Sequence, residues 1–417
     1  MQKPNPTSNT RWGILILGCL TNALVVAVPG MSLSVLLPEI SRELNLNLVQ
    51  AGLVWGMSAV PIIFSGILAG VLSDRWGPKR ILTWGSLLVG LLGASRGFSQ
   101  NLGGLLTIVF MFGFFSPFIT ISNIKNVGIW FSDREFGFAN GILSLGMALG
   151  FFLGSMVSAS IISPWIGGWR YTFFLYGAAA IIFTCLWLFS PASPQDKTKT
   201  IAEPARARVL QDIKHIISLR SIWLLGFALL CFNGAVQGFL GYLPLYLRNL
   251  GWPEIRADGL AASFHLASMI FTIPLTIFSD RLGTRKKIVL GAAMLTTLGI
   301  GLVYLLQGNS LWGAVLTAGL VRDGFMALLI TMISETRGVG RVYAGVATGF
   351  IMVFSGIGAL AAPPLGNRLA VLTPNAPFLF WAVLGAACVV CIALIPEIRL
   401  KRSSQTAESA AIPGDTA

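Results

Sequence analysis

The sequence has few charged residues, only two histidines and no grouping of side chains that suggests a catalytic or metal site. Charged residues make up 11% of the 417, and 16 of these are acidic. No nucleophile–base pair, phosphate-binding loop or metal-ligand spacing is present. We therefore expect neither an enzyme nor a bound metal or cofactor. The five cysteines all lie in apolar runs and are interpreted as small buried hydrophobic residues; they are Cys19, Cys185, Cys231, Cys388 and Cys391.

Long apolar runs dominate the sequence instead. Hydrophobic residues account for 55% of the chain, and the mean hydropathy is +0.77. Runs of about 18 or more apolar residues are typical of transmembrane helices. A β-barrel is disfavoured because the runs are continuous rather than alternating. Backbone polar groups in lipid must pair within their own segment, so the sequence predicts an all-helical membrane protein.

Twelve transmembrane spans are predicted, in two sets of six. Their approximate bounds are 13–37, 49–72, 80–98, 103–125, 136–162, 170–190, 221–247, 259–279, 286–307, 311–333, 343–366 and 376–396. The predicted divisions are an N-terminal segment 1–11, a first bundle 12–190, a linker 191–220, a second bundle 221–397 and a disordered tail 398–417. The polar composition of the linker is compatible with one amphipathic helix.

We attribute the net charge of +13 to basic residues that set the orientation of the chain in the membrane, rather than to nucleic acid binding. Most basic residues lie in loops on one side of the predicted spans, and such loops stay in the cytoplasm. We therefore expect both termini to be cytoplasmic. No small-residue cleavage site follows the first apolar run, so this run is predicted to be a retained span. No nucleic acid partner is expected.

One polar loop occurs twice. The first copy, Gly70 to Arg80, reads GVLSDRWGPKR between two apolar runs. The second copy, Thr276 to Lys287, reads TIFSDRLGTRKK, and its Asp, Arg, Gly and basic pair keep the same spacing. Gly77-Pro78 supplies the turn of the first copy. A loop that only set orientation would need neither the aspartate nor the glycine.

This repeated loop resembles the signature between the second and third helices of the major facilitator superfamily. The resemblance extends over about residues 12 to 397. It implies twelve transmembrane helices in two pseudo-symmetric six-helix bundles, with a solute site between the bundles near the membrane midplane. It also implies a conformational latch, in which Asp74 faces the start of the eleventh helix and Asp280 faces the start of the fifth. The latch residues are Gly70, Asp74, Arg75, Gly77, Arg80, Asp280, Arg281 and Gly283.

Arg322-Asp323 is the sharpest polar feature inside a predicted span. An arginine near mid-bilayer costs about 2.5–3.5 kcal/mol, so it should face a cavity or a partner. We predict that Arg322 binds an anionic substrate group, and that Asp323 holds a second helix or a proton. The alternative is a structural ion pair between helices. Adjacent residues point about 100° apart on a helix, so Asp323 is not expected to neutralise Arg322 directly.

Other polar residues in the spans complete the predicted site. Asn22, Asn233, Gln237 and Ser116 are candidate substrate contacts, although each asparagine could equally be a helix–helix hydrogen bond. Ser116-Pro117 lies at the depth of Arg322-Asp323 in the other half and is expected to break its helix. His265 is a candidate proton carrier or a packed hydrogen-bonding residue. A further prediction is close helix packing along the ridge of Gly146, Gly150 and Gly154.

These features predict a secondary transporter that moves a small solute by alternating access. The sequence favours a small organic anion, monocarboxylate-like, with a co-transported proton. Alternatives are a neutral solute or drug carrier of the same fold, and a non-transporting membrane sensor. The Gly-Pro pair and fourth-helix arginine of drug antiporters are missing, as are the glycine signatures of nitrate carriers. We expect a monomer in a bacterial inner membrane, whose partners are the lipid bilayer, an anionic small-molecule substrate and a co-transported proton.

Overall fold

Helices form nearly all of the chain that the structure describes. The structure is a computed structural model and describes residues 8–191, 206–282 and 285–396. Apart from one helix in the predicted linker, the helical segments of these ranges fall into the twelve predicted spans, and no β-strand occurs in them. The all-α fold with two six-helix bundles is therefore confirmed.

The first bundle contains two spans with π-helical turns and one that is divided. The first span comprises Ser8–Thr21, the π-helix Asn22–Ala27 and Val28–Glu43; the second comprises Leu48–Met57 and Ile62–Trp76; the third is Pro78–Ser95, followed by the 3₁₀ turn Arg96–Phe98; the fourth is Leu102–Trp130; the fifth comprises Asp133–Val157, the π-helix Ser158–Ile162 and Ser163–Ile166; the sixth is Trp169–Phe189. Several starts carry capping side chains, such as the reciprocal Asn47 and Gln50 hydrogen bonds of 2.9 Å.

The second bundle follows a helix, Arg206–Ser218, that lies in the predicted linker. Its spans are Arg220–Asn249, Glu254–Leu282, Arg285–Leu305, the divided pair Leu311–Gly319 and Arg322–Glu335, then Gly340–Arg368 and Ala376–Leu394. Short 3₁₀ turns cover Gly308–Ser310 and Leu369–Val371. Within the described ranges, ten helices are long and apolar enough to cross a membrane by length and composition, and Leu48–Met57 is a shorter apolar helix. The chain is an integral multi-pass membrane protein.

The short connections alternate between two ends of the molecule. We call one the motif end; it contains Gly77, the loops 131–132 and 336–339, and both ends of the linker. The other, which we call the far end, contains the loops 44–47, 99–101, 250–253 and 372–375. Gly77 adopts φ +83° between two helices, and Pro78 begins the next helix, as predicted for the turn. A side chain other than glycine would be strained at this φ.

Glycines allow the spans of the first bundle to pack closely. A Cβ atom on Gly146, Gly150 or Gly154 would lie 2.5–2.7 Å from atoms of the first span, among them backbone carbonyls of Cys19, Ala23 and Val28. The fifth span therefore approaches the first at backbone distance along this ridge. The predicted close packing is confirmed.

Candidate functional site

The tenth span is divided in its middle, next to the predicted anion-binding arginine. Its first helix ends at Gly319, and its second begins at Arg322 after Val321, which has φ −118° and ψ 4°. A Cβ atom on Gly319 would lie 2.3 Å from the Phe264 carbonyl oxygen, so the break lies directly against the eighth span. The unpaired N–H groups of a helix start favour negative charge. Arg322 is thus placed where the backbone already attracts an anion.

Arg322 and Asp323 form an ion pair with each other. The Arg322 guanidinium donates from Nη1 to Oδ1 of Asp323. The prediction that adjacent residues would point too far apart was wrong. That argument assumes a continuous helix, whereas these residues are the first two of a new helix, where the arginine side chain can fold back. Ser268 Oγ accepts the Asp323 backbone N–H at 3.0 Å, which ties the helix start to the eighth span.

His265 lies beside this ion pair and at the interface between the bundles. It precedes Ser268 by one helical turn and interacts electrostatically with both Arg322 and Asp323. Its side chain is buried, and its Nε2 atom has no hydrogen-bond partner among the residues that the structure describes. Its ring centroid lies 5.6 Å from that of Phe151, which belongs to the first bundle. A cation, an acid, an imidazole and a helix start therefore converge at one point.

Asn22 is held inside the first bundle. Asn123 Nδ2 donates to Asn22 Oδ1 at 2.7 Å and to the Gly18 carbonyl at 3.2 Å. Asn22 Nδ2 in turn donates to the Leu143 carbonyl at 3.4 Å. These are helix–helix hydrogen bonds between the first, fourth and fifth spans. Asn22 is also the first residue of the π-helix in its span, and π turns are frequent at functional sites.

Asn233 occupies a comparable position in the second bundle. Its Nδ2 donates to Ser355 Oγ at 2.8 Å and to the Ser355 carbonyl at 3.2 Å, which links the seventh and eleventh spans. Gln237 follows one turn later and is half-buried. Its backbone carbonyl accepts a 2.8 Å hydrogen bond from Trp55 Nε1 of the first bundle. Gln237 therefore lies at the seam between the bundles.

Ser116 does not mark a break in the fourth span. Leu102–Trp130 is one continuous helix, with Pro117 inside it. Ser116 Oγ donates to the Phe112 carbonyl at 2.7 Å. The prediction of a helix break here was wrong, because a proline removes a single backbone hydrogen bond that its neighbours in a membrane helix can replace. The divided tenth span has no counterpart in the fourth.

The first loop motif makes its ion pair within its own bundle. Asp74 Oδ1 lies 2.5 Å from Lys125 Nζ of the fourth span, and this Nζ also donates to the Gly70 carbonyl at 2.6 Å. In this conformation the partner of Asp74 is therefore a lysine of the first bundle rather than the eleventh helix named by the resemblance. The side chains of Asp280 and Arg281, and all of Gly283, lie outside the described residues.

A lysine after each loop caps the last helix of its bundle. Lys79 Nζ donates to the Ser190 carbonyl at 2.5 Å. Lys286 Nζ donates to the carbonyls of Ala393 and Ile395 at 2.9 and 2.6 Å. Cations near the last carbonyls of a helix are stabilising. These basic residues therefore bind helix ends in addition to any effect on orientation.

The far end is closed by glycine-mediated contact between the bundles. A Cβ atom on Gly56 would lie 2.8 Å from the Ala359 carbonyl oxygen, and one on Gly241 would lie 2.3 Å from the Trp55 ring. Asn367 Nδ2 also donates to the Leu48 carbonyl at 2.8 Å. Among the described residues, these hydrogen bonds join the second span to the far-end portions of the seventh and eleventh, and Ser160 and Asp258 form a further side-chain hydrogen bond between the fifth and eighth spans.

Sequence reasoning did not single out Arg96, the most deeply buried cation of the first bundle. Its side chain is fully buried; Nη1 donates to the Pro29 carbonyl at 2.7 Å, and the guanidinium lies 3.8 Å from the Phe112 ring centroid. No carboxylate lies within ion-pair distance of it among the residues described. An arginine at the end of the third apolar run is the sequence feature that could have identified it. We interpret it as a packing residue with a cation–π contact.

Comparisons with known proteins place the chain in a family. The probable sulfoacetate transporter SauU of Cupriavidus necator is 25% identical over 95% of this chain and 97% of its own length. The probable galactarate/D-glucarate transporter GarP of Escherichia coli K12 is 24% identical over 85% of this chain and 87% of its own. The cis,cis-muconate transport protein of Acinetobacter baylyi is 24% identical over 67% and 69%.

Solved structures share the fold. The nucleoside transporter NupG superposes with a TM-score of 0.75 at 12% identity, over 92% of this chain and 99% of that one. A bacterial homologue of the human lysosomal transporter Spinster gives a TM-score of 0.67 at 14% identity, over 94% and 95%. The sequence profile of the Major Facilitator Superfamily matches residues 15–344. The chain therefore belongs to the Major Facilitator Superfamily of transporters.

Proposed function

We propose that this transporter carries a small organic anion together with a proton, and that the Arg322–Asp323 pair is its binding and coupling centre. The observation that carries the proposal is the ion pair at the start of the second half of a divided helix. In membrane transporters, half-helix N-termini commonly face anionic substrate groups. Both side chains are partly exposed, with 20% of Arg322 and 31% of Asp323 accessible, so a solute can reach them.

Charge balance in the site supports coupling to a proton. In the structure Arg322 is neutralised by Asp323. A substrate carboxylate that takes the place of Asp323 would leave that aspartate as an unpaired charge, which is strongly unfavourable in a partly buried site. Protonation of Asp323 removes the conflict. The loaded site then contains Arg322 paired with the substrate and a neutral Asp323, so one proton accompanies each bound anionic group.

His265 is proposed as a second proton group of the same site. Its Nε2 is buried, has no partner in the described part of the chain and is close enough to Asp323 for electrostatic interaction. Because its ring also contacts Phe151 of the first bundle, a change in its charge would alter a contact between the two bundles. The imidazole therefore offers a route by which proton binding biases the relative position of the bundles.

Alternating access would consist of opening the motif end and the far end of the molecule in turn. We propose that residues 12–190 and 221–397 move as two units, and that the motif end is cytoplasmic, as the basic loops suggest. The far end is sealed through Trp55 and Gly56. This arrangement fits a state open toward the cytoplasm, in which Asp74 is paired with Lys125. In the opposite state Asp74 would move to the eleventh span and the far-end seal would separate.

The choice of an organic anion is supported by the names of the relatives. Sulfoacetate, galactarate and cis,cis-muconate are each organic anions with two acidic groups. We therefore extend the substrate class from monocarboxylates to small organic acids that present at least one carboxylate to Arg322. The neutral solute and sensor alternatives remain outcomes of the test. Bacterial inner-membrane location and a monomeric state complete the proposal.

Uptake by proteoliposomes tests this function. We would measure accumulation of acetate, sulfoacetate, glucarate and glucose under an inward proton gradient, for the native chain, for Arg322→Ala and for Arg256→Gln. Arg256 is exposed at the far end and serves as the matched control. The expected result is uptake of one or more acids that falls at least tenfold in Arg322→Ala alone. Glucose uptake, absence of any uptake, or acid uptake that survives Arg322→Ala would contradict the proposal.

A further inference from the structure

The eighth span follows the divided tenth span across its break in a constant register. Before the break, a Cβ atom on Gly319 would lie 2.3 Å from the Phe264 carbonyl oxygen. After the break, the Asp323 backbone N–H donates to Ser268 Oγ at 3.0 Å. Both pairs are 55 residues apart in the sequence, so the eighth span holds the tenth on either side of the gap. Ser268 is the polar side chain that makes this contact at the helix start.

Ser268 makes two contacts with the same residue. Its oxygen accepts the Asp323 backbone N–H, and its hydroxyl also hydrogen-bonds the Asp323 carboxylate. A serine hydroxyl can accept and donate at once, whereas an ionised carboxylate only accepts. Hydrogen bonds to ionised groups are the stronger ones, and Ser268 is only 1% exposed, so water competes little for them. The serine therefore favours the ionised form of Asp323 beside Arg322.

Few ionisable groups surround this carboxylate. Arg322 on its own helix and His265 on the eighth span both interact with it electrostatically. His265 is the one acidic, basic or imidazole side chain of the eighth span between Asp258 and Asp280. The other spans that pack on the second half of the tenth have no acidic residue, basic residue or histidine in their interiors, which are 221–247, 288–303 and 344–367. Within these spans, a change at Ser268 therefore acts on a carboxylate whose ionisable neighbours are Arg322 and His265.

We propose that Ser268 is a positioning residue of the coupling centre, which holds the Asp323 carboxylate beside Arg322 and sets the pH at which Asp323 takes up the coupled proton. The inference rests on the proposed function, since it assigns a role within the Arg322–Asp323 pair. Ser268 is buried and acts through Asp323. Without the hydroxyl, the ionised carboxylate loses a donor, so Asp323 binds its proton at a higher pH.

Infrared titration of the purified full chain tests this role without any substrate. The signal is the C=O band of a protonated carboxyl group that disappears when Asp323→Asn is added to the same protein. We expect its half-protonation to move up by about one pH unit in Ser268→Ala. Ser268→Thr keeps a hydroxyl and should restore the native titration. Ser263→Ala is the matched control, because Ser263 is a buried serine of the same span whose hydroxyl donates to the Leu260 carbonyl of its own helix.

Uptake by proteoliposomes gives a second readout. The pH midpoint of organic-acid uptake should also move up in Ser268→Ala, whereas KM at low pH, where Asp323 is protonated in both proteins, should stay close to the native value. The inference is overturned if Ser268→Ala and Ser263→Ala titrate at the same pH in the infrared measurement, or if uptake by Ser268→Ala falls equally at every pH. Failure of the proposed function is distinct, because it would appear as uptake that is insensitive to Arg322→Ala, whereas the infrared titration needs no transport.

Discussion

The indole Nε1 of Trp55 donates a 2.8 Å hydrogen bond to the backbone carbonyl of Gln237, so a side chain of one bundle is bound to the main chain of the other. The Trp55 ring fits there because Gly241 has no side chain. Since the acceptor is a backbone atom, substitution of the Gln237 side chain leaves this hydrogen bond in place. Residue 237 can therefore report on the opening of the far end without altering the seal.

Gly56→Leu should hold the far end open. Its Cβ would lie 2.8–2.9 Å from the backbone carbonyls of Ala359 and Leu360, and overpacking of this kind costs about 1–3 kcal/mol in the closed state alone. We expect uptake to fall at least tenfold and Gln237→Cys to react faster with a membrane-impermeant maleimide from the far side. Gly291→Leu is the control, because a Cβ atom there meets nothing within 4 Å. Unchanged labelling in Gly56→Leu would refute the proposed seal.

Asp323→Asn should separate anion binding from proton coupling. An amide cannot neutralise Arg322, so the arginine stays available to the substrate at every pH, as it does in the native chain only after Asp323 is protonated. Native uptake should rise as the pH falls, whereas exchange by the variant should depend less on pH and its accumulation under a proton gradient should fall at least tenfold, with His265 as the remaining proton group. Asp212→Asn, on the linker helix, is the control. Accumulation by Asp323→Asn equal to that of the control would exclude the coupling role.

Lys125→Met should shift the molecule away from the present conformation. It removes the ion pair with Asp74 and the hydrogen bond to the Gly70 carbonyl, both within the first bundle. If Asp74 binds the eleventh span in the other state, that contact survives, and maleimide labelling of Gln237→Cys from the far side should increase severalfold. Asp74→Asn weakens both states and should increase labelling less. Equal labelling in the two variants would argue against the latch.

Lys286→Met should destabilise the second bundle without stopping transport. The lysine binds two carbonyls at the end of the twelfth span, and such a contact is worth about 0.3–1 kcal/mol at the surface. A lower melting temperature, with substrate affinity retained, is the expected result. The adjacent Lys287→Met provides the control. A loss of uptake with unchanged stability would indicate a direct part in gating instead.

The architecture could be predicted because it depends on patterns that are periodic or repeated. Apolar runs located the spans, the two copies of the loop located the pseudo-symmetry, and Gly146 to Gly154 predicted a close approach of helices. The position of Arg322 in the middle of a span could also be predicted from the sequence. Each of these signals lies within one stretch of chain and needs no partner to be recognised.

The contacts of the site could not be predicted, because they depend on how the chain departs from regular helices. No proline marks the break before Arg322, so its direct pairing with Asp323 was missed. Pro117, which does suggest a break, lies in a continuous helix. The seal between Trp55 and Gln237 joins residues from different bundles, and no spacing in the sequence relates them. Lys125 as the partner of Asp74 is likewise a property of one conformation.

The π-helix Asn22–Ala27 has a consequence for how the duplicated halves differ. One π turn holds an extra residue, which rotates everything after Ala27 by about 100° relative to an unbroken helix. The seventh span, Arg220–Asn249, has no such turn and is one α-helix throughout. The far-end portions of these two spans therefore present different faces to the helices around them. A chimera that exchanged them would keep every helix yet turn the side chains after Ala27 toward the wrong neighbours, so the two halves are similar in fold but not interchangeable.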